Sequence, residues 1–421
     1  MEVIRVGRNG LMKELTFLHI ADLHLDSPFS GLSNLPQAMF KRVQESTFTS
    51  FSRLITIAIE HEVDFVVISG DIFDSEDRSL RAQSRFRKEM ERLLEYHIDA
   101  FVIHGNHDHV GGSWLHFEWP SNVHVFSSGE VEVKGFEKNG ETLAHLYGFS
   151  YTKKAVEENK SRYYEKKEGA SFHIGLLHGS VEGETTHSQY APFLLSDLQQ
   201  KGFDYWALGH IHVREVLTED PPIIYPGNIQ GRHKKESGEK GGYIVRLTSK
   251  GASYSFIPSA DLIWENGTLD ISQISTFNDL ANKALTLLDS YRREEQGVFL
   301  TLEVIGTGPL YMSLQDKGMQ EDLQSLLNDD VEGSNFVYVV QIKNNTQPEI
   351  DRDKLKKESH FISDLLEKLE TYQDFDDALL PLRTHQAFRR YVVPFTDEEL
   401  EEILAEAETL VLQNIYPSNR G

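Results

Sequence analysis

Between residue 14 and about residue 210, short runs of Val, Ile, Leu and Phe alternate with longer stretches whose apolar positions recur at helical spacing. The runs are LTFLHI, DFVVISG, AFVIHG, FHIGLL and YWALG, and each stops at a polar residue. Between them, the stretches starting at Pro36 and Arg78 predict amphipathic helices; in the second, Ala82, Phe86, Met90 and Leu93 share one face. This alternation predicts a layered α/β sandwich. From 211 to 260 the segments EVL, IIYPGN, GGYIVRL and YSFIPS, separated by Gly, Pro and Lys-rich turns, predict a second sheet that closes the domain. Residues 262 to 347 read strand, helix, strand, helix, strand, which makes a separate small α/β unit. After Pro348 the pattern is helical and acidic, with 16 acidic against 9 basic residues over 351 to 421. The expected organisation is therefore an N-terminal extension over 1–13, a main domain over 14–260, a small α/β domain over 261–348 and a helical region over 349–421.

Composition narrows the chemistry. The 421 residues contain no Cys, which removes disulfides, thiolate nucleophiles and sulfur-ligated zinc, so any metal must sit on His, Asp, Glu or Asn. Eighteen His are available for that. No run of 18 apolar residues exists, and the first twenty residues lack a continuous apolar segment followed by a small-residue cleavage site. The expected setting is the cytoplasm. With 66 acidic against 42 basic side chains the net charge is −24, a field that repels polyanions unless a basic stripe, bound cations or a partner protein helps.

The predicted strand ends deliver Asp22-Leu23-His24, Gly70-Asp71, Gly105-Asn106-His107-Asp108, His178-Gly179 and Gly209-His210-Ile211-His212. In an open α/β sheet, functional groups gather outside the carboxyl ends of the strands, so all five segments can converge. Residues i and i+2 at a broken strand end can reach one cation, which suits Asp22 with His24 and His210 with His212. This mixed oxygen and nitrogen donor set fits two divalent cations such as Mn²⁺ better than a Ca²⁺ cage or a closed zinc site. Two dications bring four positive charges against two negative charges from Asp22 and Asp71, leaving charge to accept a hydroxide and a phosphate oxygen. Such a clamp stabilises the attacking and leaving oxygens of an in-line displacement, the chemistry of phosphoester hydrolysis.

Taken together, DLH, GDIFD, GNHD, LLHGS and ALGHIH resemble the calcineurin-like metallophosphoesterase superfamily. GDIFD, ALGHIH and IIYPGNIQGR resemble its SbcD branch of DNA repair exonucleases, most closely the YhaO-like subgroup, over roughly residues 14 to 260. The resemblance implies an α/β/β/α sandwich followed by a capping domain. It implies one metal on Asp22, His24, Asp71 and His212, and a second on Asp71, Asn106, His178 and His210, with Asp71 bridging. It gives His107 the scissile phosphate or the leaving oxygen, and Asp108 the orientation of His107. In many relatives a His stands where this chain has Asp74, so any role of that His is absent or altered here. The activity implied is hydrolysis of DNA phosphodiester bonds by a two-metal exonuclease or endonuclease of repair. A phosphatase or a small cyclic-nucleotide phosphodiesterase uses the same chemistry, and a scaffold with structural metals is a third reading. The implied partners are DNA, a second copy of the chain, and an SbcC-like coiled-coil ATPase held by the C-terminal helices.

Other charged features are less specific. His104, His109, His116, His173 and His187 read as structural or solvent-facing. Arg78, Arg81, Arg85, Lys88 and Arg92 fall at spacings of three and four and form a basic stripe on one helix. Arg232, Lys234 and Lys235 form a second basic loop after Pro226-Gly227-Asn228. The stripe reads either as a rail for DNA phosphates or as a solvated surface paired with Glu89, Glu91 and Glu95, and the loop is expected nearer the metals as a second candidate DNA contact.

Overall fold

The computed structural model describes residues 13–29, 32, 35–74, 79–111, 118–183, 190–329, 331, 333–348, 360–372, 375–384 and short stretches between 395 and 411. The chain divides into two compact units, one formed by 1–266, 289–301 and 331–340, the other by 267–288, 302–330 and 341–421.

The first unit is built on two six-stranded sheets. The first sheet contains β1 (Glu14–Ile20), β2 (Phe65–Ser69), β3 (Asp99–Ile103), β4 (Val123–Val125), β11 (Gly241–Thr248) and β12 (Gly251–Pro258). Their order is β12-β11-β1-β2-β3-β4, with β1 to β4 parallel and β11 antiparallel to β1. The second contains β5 (Glu132–Lys138), β6 (Glu141–Gly148), β7 (Phe172–His178), β8 (Tyr205–Gly209), β9 (Glu215–Glu219) and β10 (Pro222–Tyr225), in the order β5-β6-β7-β8-β10-β9.

Side chains alternate across each strand, so every central strand serves two cores. Leu18, Ile20, Val66, Ile68, Ala100 and Val102 face helices α1 (Gln37–Glu60) and α2 (Leu80–Glu95), against Phe51, Leu54, Phe86, Met90 and Leu93. Phe17, Phe65, Val67, Phe101 and Ile103 face the second sheet, against Leu146, Ile174, Leu176, Tyr205 and Ala207. The outer side of the second sheet buries Tyr147, Leu177, Trp206 and Leu208 under Tyr164, Leu198 and Phe203. The result is the expected α/β/β/α sandwich. α2 begins at Ser79, whose hydroxyl accepts from the Ala82 N–H, and its apolar face of Ala82, Phe86, Met90 and Leu93 is buried.

One expectation changes. The four segments over 211–260 do not make a sheet of their own: β9 and β10 extend the second sheet, while β11 and β12 extend the first. Pairing partners lie far apart in sequence, and the local pattern carries no record of which sheet a strand joins. Strands β13 (Leu262–Asp270), β14 (Gly297–Thr307) and β15 (Val337–Gln347) form a three-stranded sheet in that order. The second unit contains the helix Lys317–Leu327 and all but the last two residues of the helix Phe277–Ser290, with Leu280, Ala284, Leu323 and Leu327 buried. Its helix His360–Glu370 buries Ile362 and Leu366 and leaves Phe361 64 % exposed. Among the described residues no helix is long and apolar enough to cross a membrane.

Candidate metal centre

Strands β1, β2 and β3 are parallel neighbours in one sheet, as are β7 and β8 in the other, so their carboxyl ends open on one edge of the sandwich. Polar contacts join the sheets there. His19 Nδ1 lies 2.9 Å from Tyr205 Oη and its Nε2 3.1 Å from the Leu208 carbonyl, while Ser69 Oγ donates to the Ala207 carbonyl at 3.0 Å. Burial holds the His19 pKa down to about 3, so the ring is neutral and serves as part of the joint.

The chain then turns sharply. Asp22, His24, Asp71 and His210 have φ of +51°, +42°, +48° and +101°, in the half of the map that L residues avoid at a cost of about 1–2 kcal/mol each. Residues held there cluster where a site over-determines them. Gly70 and Gly105 make room for this, since a Cβ on either would overlap the His178 ring, and on Gly105 the Asp71 carboxylate as well.

All seven expected ligands meet at this edge. His24 Nε2 and His212 Nε2 face one another at 3.1 Å, and Asp22 belongs to the same group. On the other side, Asn106 Oδ1 lies 3.0 Å from His178 Nε2 and 3.3 Å from His210 Nδ1. Between them Asp71 Oδ2 is 3.4 Å from His178 Nε2 and 3.8 Å from His24 Nε2. Asp22 accepts the His210 N–H on both oxygens, at 3.1 and 3.0 Å. Asp22, His24, Asp71, Asn106 and His178 are buried, whereas His210 and His212 are partly open.

The electrostatics ask for cations. Desolvation pushes the Asp22 carboxyl above its usual range, and the negative charge of Asp71 adds to this. Desolvation works against Asp71 as well, but the neighbouring His178 outweighs it and holds that carboxyl well below the usual range. Burial likewise opposes charge on His178, yet Asp71 and Asp22 overcome it and lift the ring to about 9. His24 is held down to about 3 by burial and by Arg232, which keeps it a neutral ligand. Two buried carboxylates need positive charge beside them, which a protonated His178 or a divalent ion can supply, and with the facing imidazole nitrogens they make a good donor set for divalent ions. The residues present fit a candidate di-metal site.

His107 lies at the same edge. Its main-chain N–H donates to Asp71 Oδ1 at 2.9 Å, and its ring Nδ1 lies 2.8 Å from the Asp74 carbonyl, which fixes the tautomer with Nδ1 as donor. Nε2 is thereby left as the atom that exchanges a proton. Here an expectation is corrected: Asp108 does not supply the partner of His107 Nδ1. It accepts the N–H groups of Ile72 at 2.9 Å and Gly105 at 2.7 Å and lies 3.0 Å from His104 Nδ1, so it holds the ligand loops in place. His104 and His173 are buried and structural, His173 beside Tyr147 Oη at 2.9 Å; His116 and His187 lie outside the described residues.

The basic features sort differently. Arg81 donates to Asp26 at 2.9 Å and to Glu45, and Arg85 to Glu45 at 3.2 Å, with both guanidinium groups over the Phe48 ring. The acids that meet them come from the loop after β1 and from α1. Arg92 and Arg87 do pair along the helix, with Glu89 and Glu91. Lys88, Lys234 and Lys235 are exposed, and Arg78 lies outside the described residues. Arg232 is not a free surface cation. It is largely enclosed, with an NH1 to Asp74 Oδ1 distance of 2.5 Å and an NH2 to Glu236 Oε1 distance of 3.5 Å. Sequence reasoning missed Asp74 and Glu236 as neighbours of the ligands. The one usable signal was position, three residues after Asp71 in GDIFD and four after Arg232 in a loop that reads as basic.

The family model described as calcineurin-like phosphoesterase matches residues 15–214. The metallophosphoesterase YhaO of Bacillus subtilis (strain 168) is 40 % identical over 407 residues, 96 % of this chain and 99 % of that protein. More distant similarity links the chain to the DNA double-strand break repair protein Mre11 of Sulfurisphaera tokodaii, 28 % identical over 243 residues, 54 % of this chain and 59 % of that one. The protein of the same name from Methanococcus maripaludis is 24 % identical over 418 residues, 93 % of this chain and 86 % of the relative.

Proposed function

Because the chain belongs to the calcineurin-like phosphoesterase family, whose members are metal-dependent phosphoesterases, we propose that it hydrolyses DNA phosphodiester bonds as an exonuclease or endonuclease of repair. The observation that carries this reading is the position of Asp71 Oδ2, 3.4 Å from His178 Nε2 on one side and 3.8 Å from His24 Nε2 on the other. One carboxylate oxygen so placed suits a ligand shared by two ions. Asp22, His24, Asp71 and His212 would hold one divalent ion and Asp71, Asn106, His178 and His210 the other, with Mn²⁺ the metal proposed. When bound, such a pair supplies Lewis acidity at the phosphoryl oxygens and acidifies water for an in-line attack.

The chain's own residues do the rest. The buried carboxylates and rings fix the donors before substrate arrives, so little reorganisation accompanies the reaction. His107, tied at Nδ1 to the Asp74 carbonyl, holds a proton at Nε2 for the leaving oxygen. DNA as substrate is supported by the name of the Mre11 relatives and by exposed Lys88, Lys234 and Lys235. We assign catalysis to residues 14–260, a capping role to 261–348, and attachment of an SbcC-like coiled-coil ATPase to 349–421, in a homodimer working in the cytoplasm.

A second reading, a phosphatase or cyclic-nucleotide phosphodiesterase, is favoured by one observation: Arg81 and Arg85 are already neutralised by Asp26 and Glu45, on a chain of net charge −24. The test is a Mn²⁺-dependent assay on labelled single- and double-stranded DNA beside a bis-aryl phosphate. Cleavage of DNA is the expected result. Cleavage of the small ester alone would establish the second reading.

A further inference from the structure

Two of the candidate ligands carry a carboxylate behind the ring. His212 Nδ1 is hydrogen-bonded to Glu236 Oε1 at 2.6 Å, and His24 Nδ1 stands 3.1 Å from Asp74 Oδ1 as a charge contact outside hydrogen-bond geometry. The short His212 contact requires the proton on Nδ1, donated to Glu236, which leaves the lone pair of Nε2 facing His24 Nε2 at 3.1 Å. With Nδ1 protonated, the Arg232 NH2 group 3.3 Å from it has no acceptor there, so the guanidinium serves the carboxylates. Its NH1 reaches Asp74 Oδ1 at 2.5 Å and its NH2 stands 3.5 Å from Glu236 Oε1.

Glu236 is itself tightly held. Oε2 accepts the Arg232 main-chain N–H at 2.7 Å and the Asn228 Nδ2–H at 3.0 Å, and the whole side chain is buried. Lys240, also buried, fixes the other end of the same ligand by donating to the His212 carbonyl at 2.9 Å. The other half of the cluster is held differently: His178 is oriented by a main-chain group, the Ser69 carbonyl, at 2.9 Å.

We propose that Glu236 and Arg232 are positioning residues for one metal position only, the one built on His24 and His212, with Arg232 as a strut that locks the carboxylates behind both rings. This rests on the two-metal reading above. It also removes Arg232 from the set of DNA contacts, since its charge is spent inside the site. Carboxylates behind metal-ligating imidazoles fix the ring and raise its basicity, and their loss commonly lowers metal affinity about 10–100-fold. Because the network touches one half of the cluster, the loss should be unequal.

The test uses the full chain, stripped with a chelator and retitrated with Mn²⁺ under electron paramagnetic resonance, which separates a spin-coupled pair from a single ion. In the unaltered protein the coupled signal should grow in as the second ion binds. In Glu236→Gln and in Arg232→Met, one ion should bind as before while the coupled signal needs about 10–100 times more Mn²⁺. Glu236→Asp, which keeps the charge at shorter reach, should recover part of the loss. A coupled signal at unaltered Mn²⁺ concentrations in both variants, or equal weakening of both ions, overturns the proposal. Should one variant fail to fold, judged by circular dichroism, the other decides. Absence of a coupled pair in the unaltered protein instead overturns the two-metal reading itself.

Discussion

Replacing Asp71 by Asn removes the carboxylate whose Oδ2 lies between His178 and His24, while keeping an oxygen able to accept the His107 N–H at 2.9 Å. The loop should therefore survive and the ions should not: bound Mn²⁺ is expected to fall below two per chain, with activity lost, as measured by elemental analysis of the dialysed protein. Two tightly held ions in Asp71→Asn would contradict a shared ligand. His107 makes the opposite case. Its link to Asp71 is through the main chain, so His107→Ala retains it and should keep both ions. Its ring should matter for turnover, where loss of a general acid costs about 10²–10⁴-fold in kcat. That loss should shrink for esters whose leaving group is a weak base, and equal slowing of good and poor leaving groups would speak against proton donation. At this scale the sequence was most legible where spacing encodes chemistry. Asp-x-His, Gly-Asn-His-Asp and His-x-His at strand ends point to convergence on one edge, because few structural roles need such residues at five strand ends together. It was least legible for Asp108, Arg232 and Glu236, since sequence shows a charge and not the group that neutralises it.

The stripe on α2 shows the same limit along a whole element. Its arginines were visible at spacings of three and four; the Glu45 that meets Arg81 and Arg85 comes from α1, some forty residues earlier, and no local pattern marks it. If the stripe still tracks phosphates, Arg81, Arg85 and Lys88 changed together to Ala should weaken DNA binding uniformly across sequences. The salt dependence of binding should then fall by up to about one unit for each phosphate left without its cation. An unchanged salt slope in fluorescence anisotropy would leave the stripe as the tie between α1 and α2. Strands β4 to β6 escaped the sequence pattern for a related reason: His, Lys and Glu interrupt their apolar positions, and no continuous run remains. The helix His360–Glu370 divides its own surface. Truncation after 348 would remove the buried Ile362 and Leu366, whereas Phe361→Asp alters only an exposed ring. Surface changes of that kind usually stay within about 0.5 kcal/mol, so Phe361→Asp should leave the melting temperature within about 2 °C. The same variant should no longer co-purify with a coiled-coil ATPase; retained binding would argue that the partner docks elsewhere.

Across the whole molecule, layer order was legible because helical and strand periodicities alternate, while sheet membership was not. The join that the pattern could not reveal is β1 with β11, in which Glu14 pairs with Thr248. β1 lies inside its sheet only once β11 has arrived; until then it is an edge with unpaired N–H and C=O groups on an apolar strand. A ribosome adding about 5–20 residues per second needs on the order of 10–50 s to make the intervening chain. During that interval the first strand made waits for one of the last in its sheet. The nascent protein therefore carries an open, adhesive border for most of its synthesis. Residues 1–240 carry 35 acidic against 26 basic side chains, so neighbouring nascent chains already share one sign of charge and repel one another while that border stays open.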